Sequence, residues 1–287
     1  MNNELIQSNA PHIHSRRTVA DIRADVLIAL VPAAVMSVIN NGSRCILILL
    51  ISILTAAAAD MLLELIRRKA SASALASRRS IIVSILDAAA AGTIFALLLP
   101  YKVPLWIAAA GAFIAVVLFK RLIGFTGRSR LNPAAGAYLI IACILSAAGI
   151  SGESMDMSIC ADTSSALALG FIYLVLRSVV QLRLSLLFVL AFFLAASISP
   201  IAGLSAMESA LSGSLILTAV FIAPSYGSSP VTPAGKSVFG IGGGLLAYFL
   251  AAKLEFETAL ALAVIIMNIL SPFIERLTIP DSRRKNS

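Results

Sequence analysis

The chain is poor in charge: Asp, Glu, Lys and Arg make up 13% of its 287 residues, against 59% hydrophobic. A soluble domain carries about 25% charged residues, so a water-soluble globular fold is excluded. Histidine occurs twice, tryptophan once and cysteine three times. His12 and His14 sit in a polar tail without metal-ligand neighbours, and Cys45, Cys143 and Cys160 lack ligand spacing, so no metal site is assigned. Cys143 falls inside an apolar run, where a small buried residue is expected; a bridge between Cys45 and Cys160 stays open. No Ser-His-Asp set or paired catalytic carboxylates can be assembled, which argues against hydrolysis and leaves no catalytic residue. The N-terminus has no basic region with a short apolar core, so the first span is expected to act as the insertion signal.

What the sequence has in abundance is apolar runs. They lie at about 24–39, 45–66, 81–99, 105–123, 132–150, 164–182, 184–199, 210–224, 237–252 and 258–274. This predicts an all-α polytopic membrane protein of about ten spans. Residues 1–22 form a polar N-terminal segment, 23–276 the transmembrane domain and 277–287 a basic tail. Asp25 is placed to cap the first helix.

The net charge of +8 suggests nucleic acid only if basic residues gather on one solvated face. Here they fall in short loops between apolar runs. With both termini inside, 19 of the 22 Lys and Arg lie inside, leaving Arg44, Lys102 and Lys253 outside. That asymmetry is the positive-inside pattern, and the acidic loop 151–163 falls outside.

Two proline-bounded breaks interrupt the runs. Gly92-Thr93 leads to Pro100-Tyr101 and then Val103-Pro104; Gly213-Ser214 leads to Pro224-Ser225-Tyr226 and then Val231-Thr232-Pro233. The pairing predicts two inverted five-helix repeats, about 23–150 and 164–276. The second break, Ser225 to Lys236, is a polar, proline-broken gap between two apolar runs; it is either a surface turn or the lining of a site. Its Tyr226, Ser229 and Thr232 are candidate cofactor contacts. Asp87 is the deepest ionisable residue by position, either an ion-path carboxylate or a residue near a wet helix end. Asp60 and Glu64 share a helix face and read either as an interfacial ion cluster with Arg67 and Arg68 or as a pump site. Asn268 reads as a hydrogen bond between helices, and Gly240 with Gly244 as a close packing face.

Four stretches together resemble the D-type membrane component of the Rnf electron-transport complex, a relative of the B-type component of sodium-pumping NADH:quinone reductase. They are Ser8 to Ser15 leading to Asp25 to Pro32; Leu131-Asn132-Pro133-Ala134; Ser229-Pro230-Val231-Thr232-Pro233-Ala234-Gly235-Lys236 followed by Phe239-Gly240; and Met267 to Arg276. The resemblance implies a ten-span subunit of urea-transporter-like fold in the bacterial cytoplasmic (inner) membrane. It implies other Rnf-type subunits as partners, in a complex that couples ferredoxin:NAD electron transfer to sodium or proton translocation. It also implies FMN, esterified through its phosphate to a threonine before the sixth span. Here that position is Leu167, in Ala161-Asp162-Thr163-Ser164-Ser165-Ala166-Leu167-Ala168, so Ser165 and Thr163 are the fallback acceptors. The break also carries Pro224-Ser225 where the family has Thr-Asp. Three readings follow: an ion-translocating redox subunit, a cofactor-less scaffold of such a complex, or a stand-alone small-solute channel.

Overall fold

The computed structural model describes residues 18–70, 78–124, 130–148, 158–180, 182–199, 206–225 and 227–279. Outside them lie Tyr226, the histidine-containing tail, Arg16 and Arg17, Arg128, the acidic residues Glu153 and Asp156, and the basic C-terminal tail. Among the described residues the elements are helical: α1 Val19–Asn41, α2 Ser43–Ala70, α3 Arg78–Leu98, α4 Leu105–Ile114, α5 Pro133–Ala147, α6 Ser164–Leu176, α7 Leu182–Ile198, α8 Ala206–Ala210, α9 Gly213–Leu217, α10 Pro233–Ala251 and α11 Phe256–Thr278. The helix of α4 continues as a π-helical segment, Ala115–Ile123, and that of α9 as another, Thr218–Ile222. Six helices are long and apolar enough to cross a membrane; α5, α6, α7 and the α9 unit are apolar but shorter. The chain is a polytopic all-α membrane protein.

Local chemistry sets several helix ends away from the expected ones. α1 begins at a capping box in which the Thr18 hydroxyl accepts Asp21 N–H at 3.3 Å and Asp21 Oδ2 accepts Thr18 N–H at 2.8 Å. Asp25 is therefore no cap; it lies a turn further in and is buried. α3 starts earlier than its apolar run, because Arg78 and Arg79 extend it. α6 stops at Leu176, so Arg177 caps it instead of sitting inside the span, and Ser178 follows at φ 51°. Thr232 caps α10, accepting Gly235 N–H at 3.1 Å with Pro233 in the first turn. Lys236 thus belongs to α10, and the break shortens to the residues between Ile222 and Thr232.

Hydrogen bonds fix the directions of the helices. At one end, Asn40 and Asn41 near the end of α1 donate to the carbonyls of Asp162 and Ile159. Arg44 at the start of α2 donates to the carbonyls of Lys102 and Val103. Ile159 and Cys160 N–H reach the carbonyls of Leu99 and Leu97 at the end of α3, and Gly213 N–H reaches Ala161. At the other end, the later residues of α2, α4 and α6 meet the early residues of α1 and α3. α1 and α3 therefore run one way, and α2, α4 and α6 the other. α2 packs against α4 and α7 against α10, and α5 lies against α4 while α11 lies against α10. α1 packs against α6 and α5 against α11, which joins the first five helices to the later ones.

The core runs through Phe95, Phe188, Phe192, Phe239 and Tyr248, all buried. Close approach of α10 to α7 depends on glycine. A Cβ on Gly240 would stand 2.7 Å from the Leu184 carbonyl oxygen, and one on Gly244 would collide with that of Phe188.

Candidate functional site

Two polar clusters mark the two ends of the bundle. The first joins α1, α2, α3 and the π-helical end of α4. Asp60, fully buried, receives Arg121 Nη2 at 2.8 Å and Lys120 Nζ at 3.2 Å on Oδ1. Arg121 Nη1 also reaches Glu64 Oε2 at 3.1 Å, and Lys120 donates to the Ser84 carbonyl at 2.7 Å. Asp87 is paired with Arg23 at 2.7 Å and Lys120 at 3.4 Å, its side chain 28% exposed. The carboxylate read as the deepest ionisable group thus sits between two cations at a partly open edge. Glu64 is held by Arg121, 57 residues away in sequence. A neighbouring pair, Asp25 and Arg177 at 3.1 Å with Tyr173 Oη on Asp25 at 2.8 Å, ties α1 to α6.

The second cluster lies where the segment before α6 crosses the end of α3 and the start of α9. The Ser158 and Ser214 hydroxyls are 2.8 Å apart, Cys160 Sγ lies 3.8 Å from each, and Ser214 Oγ donates to Glu257 Oε1 at 3.0 Å. Burial pushes the Cys160 thiol up to about 12. Isolated serines, a cysteine and a glutamate some hundred residues apart carry no sequence pattern, so only the fold reveals this group. Cys45 and Cys160 are buried free thiols, and Cys143 lies on an exposed face of α5 rather than buried.

The flavin-attachment candidates lie at the start of α6. Leu167 is fully buried in the core and has no hydroxyl to esterify. Thr163 is fully buried, and its hydroxyl donates to the Cys160 carbonyl at 2.8 Å. Ser165 is exposed on the first turn of α6. An esterified flavin therefore does not fit the two inward positions, and the one open hydroxyl is displaced from the motif position. In the break, Ser229 Oγ donates to the Ser225 carbonyl at 2.9 Å, and the Thr232 and Thr278 hydroxyls pair at 2.6 Å. Both are engaged in holding the turn and its junction with α11. Asn268, buried on α11, has no partner on either amide atom among the described residues. It is not the interhelical hydrogen bond its sequence position suggests.

A family model described as "NQR2, RnfD, RnfE family" matches residues 6–152 and 144–284. The chain is 26% identical to the D-type component of the Na(+)-translocating ferredoxin:NAD(+) oxidoreductase complex of Acetobacterium woodii, over 96% of this chain and 93% of the relative. It is 22% identical to the corresponding component of the proton-translocating ferredoxin:NAD(+) oxidoreductase complex of Clostridium ljungdahlii, over 95% and 94%. To that of the ion-translocating oxidoreductase complex of Haemophilus ducreyi it is 21% identical, over 95% and 97%. With the model matched across nearly the whole chain, the chain belongs to the NQR2, RnfD, RnfE family.

Proposed function

We propose that the chain is the D-type membrane component of an ion-translocating ferredoxin:NAD oxidoreductase complex, working there without a flavin esterified at the start of α6. The observation that carries the first part is the end-to-end match, over 96% of the chain, to a relative of that description. It acts as one subunit among membrane partners rather than as an enzyme on its own, since no catalytic set can be assembled from its sequence.

The second part rests on Leu167. A phosphoester needs a hydroxyl, and the side chain at the motif position is a buried aliphatic one. FMN bound to such a subunit supplies one-electron transfer; this chain retains Ser165 as the open hydroxyl and keeps Thr163 committed to the Cys160 carbonyl. The Asp60 end, with Arg23, Lys120, Arg121 and Arg177, faces the cytoplasm under the positive-inside rule, and both termini lie on that side of the inner membrane.

The test is expression together with the partner subunits and a flavin transferase, then purification through a partner and a denaturing gel. The chain should co-purify and its band should be dark under flavin excitation. Failure to co-purify contradicts membership of the complex; a fluorescent band contradicts the unesterified state. Loss of that fluorescence in Ser165→Ala would identify Ser165 as the acceptor.

A further inference from the structure

The end of the bundle that carries Asp60 has a surplus of positive charge. The buried cluster is itself balanced, with Asp60, Glu64 and Asp87 against Arg23, Lys120 and Arg121. Next to it, the chain from Leu65 to Leu86 holds five cations, Arg67, Arg68, Lys69, Arg78 and Arg79, and no carboxylate. The fold brings the two groups of cations together. α2 and α3 pack along each other in opposite directions, so closely that a Cβ on Gly92 would stand 2.8 Å from the Ser52 carbonyl oxygen and 2.9 Å from the Ala56 Cβ. Thirteen residues back from Gly92 is Arg79, and thirteen on from the midpoint of Ser52 and Ala56 is Arg67, so the packing sets the two level.

Position in the membrane decides what this charge meets. The apolar span of α2 closes at Arg67 and that of α3 opens at Ile81, while the helices run on to Ala70 and from Arg78. The cations therefore stand on short helical extensions at the edge of the hydrocarbon, at the level of lipid phosphates. Just inside that edge Leu62, Ile66 and Ile82 are each more than half exposed, which suits acyl chains and not water. Helix stability does not account for the whole set. Arg67, Arg68 and Lys69 favour the C-terminal end of α2, but Arg78 and Arg79 occupy the first turn of α3, where the dipole disfavours positive charge and no acidic residue offsets it.

We propose that the adjoining ends of α2 and α3 form a binding site for an anionic phospholipid, its phosphate held by the basic residues and its acyl chains on the apolar faces beside them. A basic segment at the end of a membrane helix attracts anionic lipid, and the planar guanidinium fork fits phosphate oxygens. A soluble acidic partner would use the cations and leave Leu62, Ile66 and Ile82 in water; a lipid uses both. The site depends neither on a flavin nor on membership of a complex.

The full chain, purified in mild detergent and offered equal amounts of phosphatidylglycerol and phosphatidylcholine, tests the site by native mass spectrometry of the lipid it retains. Phosphatidylglycerol should be retained over phosphatidylcholine by roughly fivefold or more, and the preference should shrink at high salt; equal retention overturns the proposal. Arg78→Gln with Arg79→Gln should cut the preference to roughly half or less, whereas Arg283→Gln with Arg284→Gln, an equal loss of charge in the C-terminal tail, should leave it. The same fall in both variants makes the effect one of net charge and overturns the site. Melting of the wild-type chain separates the sources of anion: phosphatidylglycerol should raise the melting temperature, and an equal rise with inorganic phosphate or with polyglutamate, in place of the lipid, overturns the lipid assignment. Where the Arg78 and Arg79 variant does not insert, the wild-type preference at low and high salt and the melting comparison decide the matter.

Discussion

Arg121 lays its Nε 2.9 Å and its Nη2 2.8 Å from the same Asp60 oxygen, joining the π-helical end of α4 to a fully buried carboxylate on α2. Removing Arg121 leaves Asp60 to Lys120 alone and takes away the contact of Arg121 with Glu64, a loss of about 1–3 kcal/mol. Arg121→Met should therefore lower the thermal stability of the purified chain strongly. Asp60→Leu should cost more than Arg121→Met, because it takes the buried carboxylate away from two cations, Lys120 and Arg121, at once. Detergent-solubilised melting of the two variants checks both statements.

The α7–α10 contact predicts a contrast between glycines. A Cβ on Gly244 meets the rigid Phe188 carbonyl, whereas one on Gly242 meets the Met267 methyl at 3.1 Å, the end of a flexible side chain. Gly244→Ala should push the helices apart and cost about 1–3 kcal/mol. Gly242→Ala should be nearly neutral, as the Met267 side chain moves aside. Folded yield and melting temperature of the pair give the comparison.

At the start of α6, Thr163→Val removes a buried hydroxyl bonded to the Cys160 carbonyl and should cost about 1–2 kcal/mol. Ser165→Ala changes an exposed side chain and should leave stability within about 0.5 kcal/mol. Melting curves decide whether Thr163 is a structural residue, as its bond indicates, or a free acceptor.

The apolar runs make the helices legible, since length and hydropathy are additive along the chain, and Gly240 with Gly244 announces a close contact by spacing alone. What escapes the sequence depends on residues far apart or on single hydrogen bonds. Asp25 stands at the start of the apolar run and so reads as the cap, but Thr18 and Asp21 satisfy each other earlier and take that role. Glu64 is held by Arg121 beyond the end of α4, a contact that its spacing from Arg67 and Arg68 does not announce. The π-helical segments leave no hydropathy signal, and the Ser158–Ser214–Glu257 group exists only once three distant segments meet. Within the candidate site, Leu167 is readable at once, because the absence of a hydroxyl is visible in the residue type. The commitment of Thr163 is not.

The intact mass of this chain, released from a complex purified through a partner subunit, tests the central claim most directly. The chain should be present in the complex and carry no mass added by flavin. A chain heavier by one FMN, or one absent from the purified complex, would contradict it.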